Sequence, residues 1–162
     1  MKSQPFWQSN EFWTTLIGAA VGFLAATAKE SWDRHKRQRV HWAALRAEIT
    51  YCNQIAVTYL NDKIAAPSYR LPTVAYSQSL PGLLADGRLA EHETRSLLEF
   101  FTQVDSLNRG LDLAQAARGN PDKSVLEKEY ERNLLKARGL LRGDEDRKTY
   151  YDSALEIIDV HL

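Results

Sequence analysis

One cysteine is all that 162 residues contain. Cys52 cannot form an internal disulfide, so nothing supports a disulfide-stapled exported domain. An excess of one charge sign is missing too, with 21 Lys and Arg against 21 Asp and Glu. One of each, Lys2 and Glu11, precedes residue 29, which leaves 20 of each in residues 29–162. A general nucleic-acid binder carries a clear basic excess, and this chain does not. His35, His41, His92 and His161 are scattered, without H-x-x-x-H or H-E-x-x-H spacing. A metal site needs clustered donors, so none is expected. There is no G-x-S-x-G, no phosphate-cradling Gly-rich loop and no dinucleotide fingerprint. No nucleophile, base and orienter stand out together, so neither an enzyme nor a cofactor is expected. Sustained strand alternation is also lacking, which points to an all-α protein.

What the chain does have is a run without charge. Phe12 to Ala28 read FWTTLIGAAVGFLAATA, and KESWDRHKRQR follows at once. Seventeen helical residues span about 25 Å against a hydrocarbon core of about 30 Å, so this is a short transmembrane segment. Trp7, Trp13 and Trp32 fall near the two expected interfaces, where indole rings favour the headgroup level. The alternative is a buried core helix, which explains neither the basic flank nor the Trp placement. Lys2 precedes the run, whereas Lys29, Arg34, Lys36, Arg37 and Arg39 follow it. The positive-inside rule then predicts a membrane protein with its N-terminus outside and its C-terminal domain cytoplasmic. A cleaved signal peptide competes, because Ala26-Thr27-Ala28 has the A-x-A form. Glu11 ahead of the run and the basic residues after it oppose cleavage.

Within the run, Thr14, Gly18, Gly22 and Ala26 recur every four residues and share one helix face. Small residues let two helices approach closely in lipid, so this stripe is the candidate self-association surface and a homo-oligomer is expected. Lys29, Arg34, Lys36, Arg37 and Arg39 are the candidate contacts to anionic headgroups, at about 1 kcal/mol per charge near the surface.

From Phe23 to Ala66 neither Gly nor Pro interrupts the chain. One helix is expected from near Asn10 to about Lys63, passing through the interface. Trp42, Leu45, Ile49, Cys52, Ala56 and Tyr59 form its apolar stripe, to be covered by later helices or by a second subunit. The division expected is a short external N-terminus over 1–11, a transmembrane helix over 12–28, a basic segment and long helix over 29–64, and the rest of an antiparallel helical bundle over 65–162.

AAPSYRLP, residues 65–72, is a connector, and a short helix over Thr73–Ser79 is expected before turns at Pro81-Gly82 and Asp86-Gly87. A second long helix should run from about Ala90 to Arg118, with Leu97, Phe101, Val104, Leu107, Leu111 and Ala114 inward. Ser124 to Glu127 has capping-box form and opens the next helix, with Leu126, Tyr130, Leu134, Ala137 and Leu141 on one side. Gly143 interrupts, Asp144 can cap, and Tyr151, Leu155 and Ile158 line the last helix. Asn108-Arg109-Gly110 places a polar pair and a weak helix former in an apolar helix, which marks a bend, a close helix contact or a polar pocket. For a pocket, the candidate lining is Tyr69, Arg70, Asn108 and Arg109, with a small anionic ligand or a protein partner as the expected occupant. Cys52 on the apolar stripe reads as a buried thiol rather than a nucleophile.

FWTTLIGAAVGFLAA with SWDRHKRQR resembles a group of small bacterial single-pass membrane proteins. LPTVAYSQSLPGLLADGRL and LLEFFTQVDSLNRGLDL are similar to the same group, through hydrophobic patterns above all. Some proteins of that plan are effectors of anti-phage defence, including CRISPR-associated ones that respond to cyclic oligonucleotides. The resemblance implies a membrane-perturbing sensor-effector of the bacterial inner membrane. It carries over no nucleotide-binding residue, and a membrane-tethered adaptor for a cytosolic partner remains the other reading.

Overall fold

The computed structural model describes residues 10–87, 89–141 and 148–162, with the side chains of 10–15 and 141 outside that description. Its regular structure is five helices among the described residues: α1 (Asn10–Asp62), α2 (Val74–Ala85), α3 (Glu91–Ala117), α4 (Lys123–Leu141) and α5 (Tyr150–His161). The protein is all-α, and its C-terminal part is a helical bundle. Two compact units divide it, residues 1–38 and 39–162.

In the first unit, α1 is exposed at every described residue from Leu16 to Arg37. The expectation of a membrane-spanning helix over Phe12–Ala28 is not met there, because no helix among the described residues is long and apolar enough to cross a membrane. Among the described side chains the uncharged stretch is Leu16 to Ala28, thirteen residues, about 20 Å of helix against about 30 Å of hydrocarbon. The side chains of Phe12, Trp13 and Thr14 lie outside the description, as do residues 1–9 and Asp144.

The second unit begins where α1 starts to bury a face. Trp42, Leu45, Ile49, Cys52, Ala56 and Tyr59 are all at most 3% exposed and belong to one core with residues of α2, α3, α4 and α5. Their stripe is covered by the chain's own helices, as steps of three and four on one helix face require. Lys63 closes α1 at φ 52, the left-handed conformation that commonly ends a helix.

Residues 63–73 then cross to α2, tied down by groups from other elements. The Cys52 thiol donates to the Pro72 carbonyl at 3.3 Å. Glu48, almost wholly buried, accepts from the backbone N–H groups of Ala75 and Tyr76 at 2.8 and 2.7 Å. Thr73 gives α2 no side-chain cap, so this carboxylate of α1 supplies it, favoured by the positive end of the α2 dipole. The turn expected at Pro81-Gly82 is not formed. α2 runs through both residues, held by the burial of Leu80 and Leu83 and by Gly82 seated on the His41 ring. Asp86-Gly87 does turn, with Gly87 at φ 64.

All six expected inward residues of α3 are buried, and Phe100, Gly110 and Ala117 join them. Glu93 folds back to accept from the Ala90 N–H at 2.8 Å, which starts the helix. α4 departs from expectation at its start, where the first turn is capped by Asp122, which accepts from Ser124 N–H at 2.9 Å, rather than by Ser124 itself. Of its expected face, Ala137 is buried and Tyr130 and Leu134 pack partly buried against the core, and Asn133 and Leu140 are buried beside them. α5 is capped by the Thr149 hydroxyl, which accepts from Asp152 N–H at 2.9 Å, and it buries Ala154, Ile157 and Ile158.

Candidate functional site

Two regions carry features that folding alone does not use. The first is α1 from Leu16 to Arg39. Leu16, Ile17, Val21, Phe23 and Leu24 are each about half exposed or more. At 100° per residue they cover one side of the helix, and Gly18, Ala19, Gly22, Ala25 and Ala26 cover the other, so no side of this segment carries a charge. Such a helix is ordinarily found surrounded by protein or lipid. The one hydroxyl among them, Thr27, donates within the helix to the carbonyls of Phe23 and Leu24 at 3.0 Å each. A Cβ added at Gly18 or Gly22 would meet nothing within 4 Å, so the described part of the small-residue stripe is open. Lys29, Arg34, Lys36, Arg37 and Arg39 are all exposed. Only Arg34 has an ion pair among the described residues, with Glu30 at 3.5 Å, and exposed pairs of this kind contribute little.

The second region is the connector 63–73 and what it lies on. Three of the four expected pocket residues meet there. The Asn108 amide clamps the Leu71 backbone, accepting from its N–H at 2.9 Å and donating to its carbonyl at 2.8 Å. Arg70 donates through Nε to Asp112 at 2.7 Å, through Nη2 to Gln115 at 2.8 Å, and through Nη1 to the carbonyls of Pro67 and Tyr69. Both side chains are thereby spent on holding the connector to α3. Arg109 is not with them. It is exposed, and lines a surface hollow of about 530 Å³ with Asp105, Ser106 and Lys136. Gly110 marks a close helix contact, since its added Cβ would sit 1.8 Å from Asn133 Oδ1. The Lys136 ammonium donates to the Ser106 carbonyl at 2.9 Å across the same α3–α4 seam.

Beneath the connector lies a group of polar residues that the sequence did not announce. The hydroxyls of Tyr59 and Tyr69 and both amide atoms of Asn133 are buried with no hydrogen-bond partner among the described residues. Burial pushes the Tyr59 hydroxyl up to about 12, and the neighbouring Tyr130 adds to that. The Asn133 amide lies close enough to Tyr59 to lower it somewhat, though without the geometry of a hydrogen bond. Tyr69 is raised by burial first and then by Asp62 and Tyr130. Tyr59 and Tyr130 meet edge to face at 6.0 Å. A hint in the sequence was available: Asn133 follows the helical spacing to Ala137 and Leu140, a polar residue on an apolar face.

Elsewhere the chemistry is quiet. Burial pushes the Cys52 thiol up to about 12, with Glu48 adding to it, so the thiolate needed for nucleophilic attack is scarce. His161 stacks on Trp42 at 4.5 Å and meets Glu93 at 3.0 Å, pinning the end of α5 to α1 and α3. Among the described residues no three His, Cys, Asp or Glu side chains gather as metal donors. No family model, no curated protein and no solved structure matches the chain.

Proposed function

We propose that the chain is a non-enzymatic, membrane-anchored protein that self-associates through the start of α1 and binds a ligand or partner through its helical bundle. The observation that carries this reading is the exposed segment Leu16–Ala28, apolar on every side and followed by cations. Water is a poor environment for such a surface, at about 25 cal/mol per Å² of apolar area. In sequence the uncharged run continues upstream through Phe12, and seventeen residues come within about 5 Å of the hydrocarbon thickness. Lys29 can reach outward to make up part of the rest.

The cations suit a headgroup layer better than a groove. Lys29, Arg34, Arg37 and Arg39 leave the helix in different directions at 100° per residue, so they form a collar. An anionic interface surrounds a helix in the same way. By the positive-inside rule the bundle then lies on the cytoplasmic side of a bacterial inner membrane. A single span perturbs a bilayer only as an oligomer, and Thr14, Gly18, Gly22 and Ala26 are the stripe that would bring copies together. The resemblance to anti-phage effectors gives the sharper form, in which binding to the bundle rearranges the oligomer and depolarises an infected cell.

An adaptor reading draws on a different observation. The groove between α1 and α5 lies open and is mixed in character, with Tyr51, Tyr151, Leu155 and Leu162 beside Arg46, Thr50 and Gln54. A surface that offers apolar contact with a few polar groups suits a protein partner.

The deciding experiment is alkaline carbonate extraction of membranes holding the full-length chain, with crosslinking before solubilisation. Retention in the membrane with a discrete homo-oligomer is the expected result. Gly18→Leu with Gly22→Leu should keep the retention and lose the oligomer. Release into the supernatant would overturn the anchor, and a retained monomer would leave the adaptor as the better reading.

A further inference from the structure

Tyr59 comes from the last turns of α1, Tyr69 from the connector and Asn133 from the middle of α4. Tyr59 is 1% exposed and Asn133 not at all. Leaving such groups unbonded is costly, about 1–3 kcal/mol each, and native proteins rarely do so. The backbone around them is built to keep them there. Gly110 alone lets Asn133 press against α3, since any Cβ would collide with its amide. The two-point clamp of Asn108 on Leu71 and the four bonds of Arg70 hold the connector, and with it Tyr69, against α3.

We propose that Tyr59, Tyr69 and Asn133 form a buried site for a small uncharged molecule that both donates and accepts hydrogen bonds. The inventory sets the class. Two hydroxyls and one carboxamide offer donors and acceptors together, which matches a water, an alcohol or an amide and not a purely acidic or basic group. An ion is disfavoured, since taking a charge out of water without a counter-charge is far more costly than burying a neutral group. The complete burial of Tyr59 and Asn133 limits the guest to a few heavy atoms. This inference gives the ligand-binding half of the proposed function a place, and it rests on the bundle rather than on the membrane segment.

The test is a melting cycle on the full-length protein in detergent, using Tyr59→Phe, Tyr69→Phe and the double variant. If one guest joins the hydroxyls, each single change lowers the melting temperature by roughly 2–4 °C. The double variant then loses less than the sum, because the first change already loosens the shared molecule. Singles that melt at or above the parent overturn the site, since that is how removal of an unpartnered hydroxyl behaves. Strictly additive losses overturn it as well, for then each hydroxyl bonds something of its own. A high-resolution crystal structure of the parent should show density bridging the three side chains that disappears in the double variant, and a parent without it ends the proposal. Native mass spectrometry of the parent separates the sources: a retained organic mass marks a ligand, and its absence beside bridging density marks water.

Discussion

α1 holds two kinds of helix in one run of backbone. Residues 16–37 are exposed throughout, whereas residues 42–59 bury one face in three- and four-residue steps. Arrangement explains the contrast. The first stretch sets large apolar residues on one side and Gly18, Gly22 and Ala26 on another, and then carries a cluster of charge, so no polar face stands against an apolar one. The second alternates Leu45, Ile49, Cys52 and Ala56 with Arg46, Thr50 and Gln54, so water and core each receive a face. The placing of polar and apolar residues decides which half finds its partners inside the chain.

The contrast is broken most sharply by deleting the same kind of side chain from each half. Leu45→Ala removes a fully buried group and should cost about 2–5 kcal/mol. Ile17→Ala removes an exposed one and should leave bundle unfolding within about 0.5 kcal/mol. Denaturant unfolding of both variants, followed by far-ultraviolet circular dichroism, checks this. Equal losses would mean that the first stretch is packed as tightly as the second.

Glycines sharpen the same comparison at smaller scale. Gly110→Ala drives a methyl into Asn133 Oδ1, and the amide has to move in a packed seam, which costs about 1–3 kcal/mol. Gly22→Ala meets nothing and should not change the melting of the bundle. A Gly110→Ala variant as stable as the parent would show that Asn133 shifts freely, and that the α3–α4 seam is looser than its burial suggests.

These differences also show what could be read from sequence. The stripes of α1 and α3 were legible because burial on a helix face is a local, periodic signal, and Trp42 to Tyr59 and Leu97 to Ala114 follow it without a break. On α4, Tyr130, Leu134 and Ala137 follow the same signal, whereas the burial of Asn133 depends on Gly110 of another helix, which no spacing within α4 encodes. The length of α2 was misread because a proline and glycine pair usually ends a helix, and here buried Leu80 and Leu83 on either side hold it through. The Glu48 cap of α2 joins residues 27 and 28 positions apart, and no spacing rule reaches that far. Of the expected pocket, Tyr69, Arg70 and Asn108 gather at the connector while Arg109 faces elsewhere. Asn108 and Arg109 are neighbours in sequence, but successive helical residues point about 100° apart, and here one turns to the connector and the other to solvent.

The smallest effect concerns two carboxylates, one in each region. Glu93 suffers a burial penalty, but the Ala90 N–H and His161 outweigh it and hold its carboxyl below the usual range. A depressed folded pKa means that its contribution is present above the unfolded value, about 4.3, and is lost as pH falls through the lower folded value. Glu30 has only the exposed Arg34 at 3.5 Å. Glu93→Gln should therefore cost about 1 kcal/mol near neutral pH and flatten the acid limb of the stability curve below pH about 4.3. Glu30→Gln should leave both unchanged. Melting temperatures between pH 3 and 7 check the pair. An acid limb unaltered in Glu93→Gln would mean that the α3 start is held by its backbone alone, and that the contact with His161 adds nothing to the anchoring of α5.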